Sequence, residues 1–123
     1  MKLKTTRSQL EGLELIIRVM LQTNIPNDPA EKLIYDIVYK AYCRIRTRVE
    51  RIASTKHGWS IKLADQEALA MHVFLSNAVV PSTGYDYEKL QLQTMFTNIH
   101  DEYGKPVYRN QSYSMLATGS PQR

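Results

Sequence analysis

Residues 28–58 read DPAEKLIYDIVYKAYCRIRTRVERIASTKHG, and this stretch decides the fold. Asp28 is a helix cap, Pro29 takes the first helical position and Glu31 closes the capping box. Leu33, Ile34, Ile37, Val38, Ala41, Ile45, Val49 and Ile52 recur at helical spacing and make one apolar stripe. Tyr35, Tyr39 and Tyr42 form a second stripe on its flank. Gly58 supplies a left-handed stop, and Trp59 follows where it can fold back on the last turn. The pattern predicts one long helix over about 29–57, about 43 Å at 1.5 Å per residue.

Three further segments carry the same period. The first runs from about Ser8 to Asn24, with Leu10, Leu13, Ile16, Ile17, Met20 and Leu21 on one face. Thr6 with Gln9 and Ser8 with Glu11 both fit a capping box at its start. The third segment runs from about Leu63 to Val79. Ala64, Ala68, Met71, Phe74, Leu75 and Ala78 share one face, with Leu69 and Val73 opposite. Apolar on two faces, it is expected to be the most buried helix. The fourth runs from Asp86 to Gly104 with a narrower stripe of Leu92, Met95, Phe96, Ile99 and Tyr103. No alternating pattern lasts long enough for a regular strand. The expected fold is all-α: an up-down four-helix bundle over 1–104 with one long helix, then an irregular C-terminal tail or arm over 105–123.

Composition excludes several classes. Hydrophobic residues make up 43% and charged residues 23%, with five Gly and five Pro, which excludes a disordered, collagen-like or low-complexity chain. One cysteine, Cys43, excludes an intrachain disulfide and suits a reducing compartment. The basic start is followed by an apolar run broken by Glu14 and Arg18, unlike a signal peptide. No run approaches the roughly 18 apolar residues of a membrane span. A cytoplasmic protein with no membrane partner is expected.

The net charge of +4 hides a polarised chain. Residues 1–7 carry +3, residues 40–57 carry +5 and residues 105–123 carry +3, so the remainder carries −7. An up-down order would gather all three basic segments at one pole. Lys40, Arg44, Arg46, Arg48, Arg51 and Lys56 make the candidate basic patch, suited to phosphate contacts. The plainer reading is a solvated helix face whose cations complement the helix dipole.

The overhang of the long helix would leave Val49 and Ile52 uncovered unless residues near Leu3, the segment 59–63, the tail or another subunit shields them. Tyr35, Tyr39, Tyr42, Val49, Ile52, Trp59, Tyr108 and Tyr113 are therefore the candidate protein interface, against the plainer reading of ordinary packing. His57, His72 and His100 lie in different segments without a ligand partner at helical spacing. No metal site, cofactor or catalytic group is expected.

The basic helix followed by Leu63-Ala-Asp-Gln-Glu-Ala-Leu-Ala-Met-His-Val-Phe-Leu75 resembles short all-helical accessory proteins of bacterial phages and mobile elements. The resemblance spans about residues 8–100. It implies a virion, assembly or host-interaction component, and a virion-associated location in place of a free cytoplasmic one. The leading expectation is a non-enzymatic protein that associates with itself or with another protein. The alternative is a nucleic-acid-binding accessory protein that uses its basic pole.

Overall fold

The structure is a computed structural model, which describes residues 1–51 and 59–104. It is mostly helical, with four α-helices and two very short strands: β1 (Lys2–Leu3), α1 (Arg7–Thr23), α2 (Pro29–Glu50), β2 (Ile61–Lys62), α3 (Asp65–Asn77) and α4 (Asp86–Ile99). A single π-helical turn, His100–Gly104, continues α4.

The sequence signals act in full at α1 and in part at α2, where Glu31 bonds one residue before the expected cap. Of the two possible boxes on α1, Thr6 is the one used: its hydroxyl accepts from the Gln9 N–H, and the Gln9 side chain accepts from the Thr6 N–H. Asp28 caps α2 by accepting from the Glu31 N–H at 2.8 Å, while Glu31 reaches back to the Asn27 N–H. At α3 the cap residue is Ala64, so only half a box forms, with Glu67 accepting from the Ala64 N–H at 2.8 Å. Gly84 and Tyr85 both take positive φ to turn the chain into α4. For Tyr85 this left-handed backbone is strained, because a Cβ crowds the following carbonyl.

The long helix is shorter than expected. It has 22 residues and ends at Glu50, with Arg51 in extended geometry. The reason lies in Trp59, whose ring sits 5.9 Å beneath the Arg48 guanidinium. A helix continued to position 57 would rise about 14 Å beyond Arg48, carrying the next residues away from it. The expected final turns, with Ile52 and Lys56, lie outside the described residues, as does the tail with Tyr108 and Tyr113.

β1 and β2 are an addition to the expected all-helical pattern. They pair antiparallel, Lys2 with Lys62 and Leu3 with Ile61. Two residues each are too few for a visible alternation. Their inward side chains, Leu3 and Ile61, are buried, and with Trp59 and Leu63 they close the core below the end of α2. Val49 packs against that core. Val49 is thus covered in part by the same chain, while Ile52 lies outside the described residues.

Each helix packs against two others: α1 on α2 and α4, and α3 on α2 and α4. Tyr35 donates to the Leu21 carbonyl and Tyr42 to Glu14, so α1 and α2 run in opposite directions. Arg44 meets Glu67 while Tyr35 meets Phe74 edge-on, so α2 and α3 also oppose each other. α4 departs from a strict up-down order. Its first turn bonds the first turn of α1 (Ser8 to Tyr87, 3.0 Å), and its far end stacks on His72 in mid-α3. It therefore crosses from α1 to α3. Gly12 makes this crossing close, since a Cβ there would meet the Tyr87 ring at 3.2 Å.

The core stripe of α1 is buried throughout. In the stripe of α2 Val38, Ala41 and Ile45 are buried, Ile34, Ile37 and Val49 are half-buried, and Leu33 is 62% exposed. α3 is not the most buried helix: Leu69 and Val73 lie on its solvent side. Four helices of this length leave every member an outer face, so a doubly apolar sequence here produces exposed apolar surface instead of a central position.

Candidate functional site

The basic end of α2 is assembled from three segments. Arg7, at the start of α1, lies 5.4 Å from the Trp59 ring centroid, and Arg48 lies on the same ring. Thr5 donates its hydroxyl to the Trp59 carbonyl at 2.5 Å, fixing the residue against the N-terminal segment. The N-terminal and α2 basic segments thus do meet. The end of α4 adds acids, since Asp101 and Glu102 line a shallow depression with Met1 and Lys2, and the basic segment 105–123 lies outside the described residues.

The candidate cations differ in what they do. Arg44 makes a two-pronged ion pair with Glu67 and also donates to the Lys62 carbonyl at 2.6 Å. It ties α2 to α3 and to β2. Arg46 pairs with Glu50 one turn on, at 3.3 Å. Arg48 is held on Trp59. Lys40 and Arg51 are exposed. Between them and the β1–β2 ribbon runs a groove of about 450 Å³, lined by Cys43, Arg44, Thr47, Arg48, Arg51, Ser60, Ile61 and Lys62. Ser60 and Lys62 carry no signal in the sequence, because only the return of the chain to β1 places them beside α2.

The tyrosine flank is mainly internal. Tyr42 is buried and donates to Glu14 at 2.8 Å; burial and that carboxylate push its pKa up to about 12. Tyr35 is half-buried, and Trp59 is only 8% exposed. Tyr42 and Trp59 are core residues, while Tyr35 keeps an edge on the groove between the start of α2 and the end of α3. Tyr39 alone of the stripe faces solvent. Large exposed apolar residues gather elsewhere: Ile25, Leu33, Leu69, Val73 and Val79.

Two carboxylates tune the pH response. Burial alone would raise Glu14, but hydrogen bonds from Arg18 and Tyr42 outweigh it and hold the carboxyl below its usual range. The Arg44 guanidinium holds Glu67 low against the effect of burial, aided by the Ala64 N–H. A carboxyl lowered on folding adds stability above its unfolded pKa of about 4.3 and loses it as pH falls through the folded value. The melting temperature is expected to drop between about pH 5 and 3, and Glu67→Gln to show a shallower drop. With Arg44 47% exposed, solvent screening keeps the Glu67 contribution below about 1 kcal/mol. Thermal melts of both proteins across that range check it; parallel curves would show that this pair contributes nothing to the acid response.

Nothing local in the sequence links His72 to His100. The structure joins them through a 3.0 Å hydrogen bond, stacked with Phe96. Gly104 closes over the pair, where a Cβ would sit 2.5 Å from both ring nitrogens. A separation of 28 residues across two helices and a turn hides this from any local pattern. No group of three or more metal-ligating side chains occurs among the described residues, and none of their helices is long and apolar enough to cross a membrane. No family model, curated protein or solved structure matches the chain.

Proposed function

We propose that this chain is a non-enzymatic helical assembly protein that associates with a second copy of itself through the outer face of α2 and α3. The observation that carries this reading is the exposed apolar side chains on these two helices, Leu33 and Tyr39 on α2 and Leu69 and Val73 on α3. Leu33 projects from α2, one turn before half-buried Ile37; Leu69 and Val73 project one turn apart from α3. A groove of about 490 Å³ continues the face over Ile25, Pro26, Ala30, Ile34, Val73 and Ala78. Beyond it Val79 is 75% exposed, held by two hydrogen bonds to Asn24. Apolar surface gathered in this way on one side of a small domain favours association.

A second copy suits this face because its rim is self-complementary. Asp36 and Lys40 lie one turn apart on the solvent flank of α2, either side of Ile37. Asp36 meets Lys32 of its own helix through one oxygen, which leaves the carboxylate able to accept a second cation. A two-fold axis crossing α2 between Asp36 and Lys40 sets each aspartate beside the lysine of the other copy, as an isologous interface requires. An assembly role is also what the resemblance to phage and mobile-element accessory proteins implies.

Sedimentation velocity at rising concentration tests it. The wild type is expected to move from the 14.2 kDa monomer toward twice that mass at micromolar concentrations, and Leu33→Glu with Val73→Glu to stay monomeric with an unchanged circular dichroism spectrum. A wild type that remains monomeric at several hundred micromolar, well above a typical dimer constant, refutes self-association.

A further inference from the structure

We propose that the groove between the end of α2 and the β1–β2 ribbon binds the phosphate backbone of duplex nucleic acid. Arg44, Arg48, Arg51 and Lys62 line it, together with the hydroxyl-bearing Thr47 and Ser60, and no carboxylate does so among the described residues. Glu67 pairs with Arg44, and Glu50 pairs with Arg46. Arg51, Lys62 and the Ser60 hydroxyl suit phosphate oxygens as donors, whereas the Arg44 fork is held by Glu67 and the Thr47 hydroxyl donates to the Cys43 carbonyl.

Two of these cations are held in place before any ligand arrives. Arg44 is fixed by Glu67 and the Lys62 carbonyl, and Arg48 by the indole of Trp59. Fixed side chains lose less entropy on binding. The ribbon adds a second feature. Lys2 and Lys62 stand directly opposite each other, both exposed. Like charges in register destabilise a strand pair; Asp101 and Glu102 line a depression with Lys2, and a phosphate in the groove meets the pair at Lys62.

The layout favours an extended ligand over a single phosphate. Lys40, Arg44 and Thr47 follow one flank of α2 over about 10 Å, Arg51 follows at the end of the helix, and Lys62 carries the charge onto the ribbon. A lone phosphate needs cations that converge on one point. A row of this length matches several successive phosphates, which rise about 3.4 Å each along one strand. Trp59 is buried beneath two arginines and offers no stacking face for an unpaired base. The interactions on offer are electrostatic, so binding is expected to be independent of sequence.

Fluorescence anisotropy with a labelled mixed-sequence DNA duplex, titrated with the full-length chain over a salt series, tests the proposal. Log affinity should fall linearly with log salt. Arg51→Glu with Lys62→Glu should weaken binding about tenfold or more and flatten the slope by about two, one for each phosphate no longer neutralised. Arg51→Gln with Lys62→Gln should give an intermediate loss, which keeps the test sound if charge reversal disturbs folding. Absence of duplex binding at low salt overturns the proposal. So does an affinity unchanged by either pair of substitutions, or equal competition by inorganic phosphate or polyglutamate at matched charge concentration.

Discussion

Replacing Trp59 with alanine is expected to destabilise the protein by about 3 kcal/mol, near the lower end of the range for removing a large buried aromatic side chain. Trp59 is 8% exposed and lies where three segments meet. Arg7 from α1 and Arg48 from α2 rest on its ring, and Thr5 bonds its carbonyl. Deleting the indole strips apolar cover from the closing layer of Leu3, Ile61 and Leu63 and leaves two guanidinium groups without their common platform. Trp59→Phe should lose much less, because a ring and most of the apolar volume remain. Urea unfolding followed by far-ultraviolet circular dichroism measures both. As the sole tryptophan, Trp59 should also emit at short wavelength in the native wild type. If Trp59→Ala instead left stability within about 1 kcal/mol and altered only the mass in solution, the residue would belong to an interface and not to the core.

Gly12→Leu is expected to cost about 2–3 kcal/mol, as overpacking of a close helix crossing does. Gly12 is buried in the middle of α1, where glycine is otherwise unfavourable. It is tolerated because α4 crosses there, with Tyr87 3.2 Å from a Cβ at that site and Gln91 at 3.6 Å. A leucine has nowhere to go without moving the first turn of α4 and breaking the Ser8–Tyr87 hydrogen bond. Gly12→Ala is the instructive partner. One methyl gains about 1 kcal/mol of helix propensity, and the exposed Tyr87 ring can give by a few tenths of an ångström, so its net effect should be near zero. A leucine variant as stable as the wild type would show that α4 does not sit against α1 at this point.

Much of the secondary structure is legible because its determinants are local. Asp28-Pro29, Thr6 with Gln9 and the break before Pro81 act within a turn of where they stand. The periodic stripe of α1 is buried as its spacing predicts. The end of α2 is not legible, because nothing between Arg48 and Gly58 forbids a helix and the competing demand comes from Trp59 docking beside Arg7. The candidate site divides in the same way. The cations of α2 lie in one visible row, but their pairing with Glu67 and Glu50, and the arrival of Ser60 and Lys62, depend on contacts made only after the chain returns. The tyrosine stripe shows the limit most directly. Tyr35 and Tyr42 look like a flank free for a partner, yet α1 covers them and takes their hydroxyl bonds.

By itself, then, the sequence determined the helical class, the starts of α1 and α2, the basic second half of α2 and the absence of paired cysteines. These follow from side-chain periodicity, backbone capping and composition, which act over a few residues. Only the tertiary structure decided that α4 crosses α1 at Gly12, that two histidines 28 residues apart share a hydrogen bond, and that Trp59 is core while Leu33 and Val73 are surface. Those outcomes depend on which elements cover one another. That is set by packing all four helices and the ribbon at once, through contacts between residues distant in the chain.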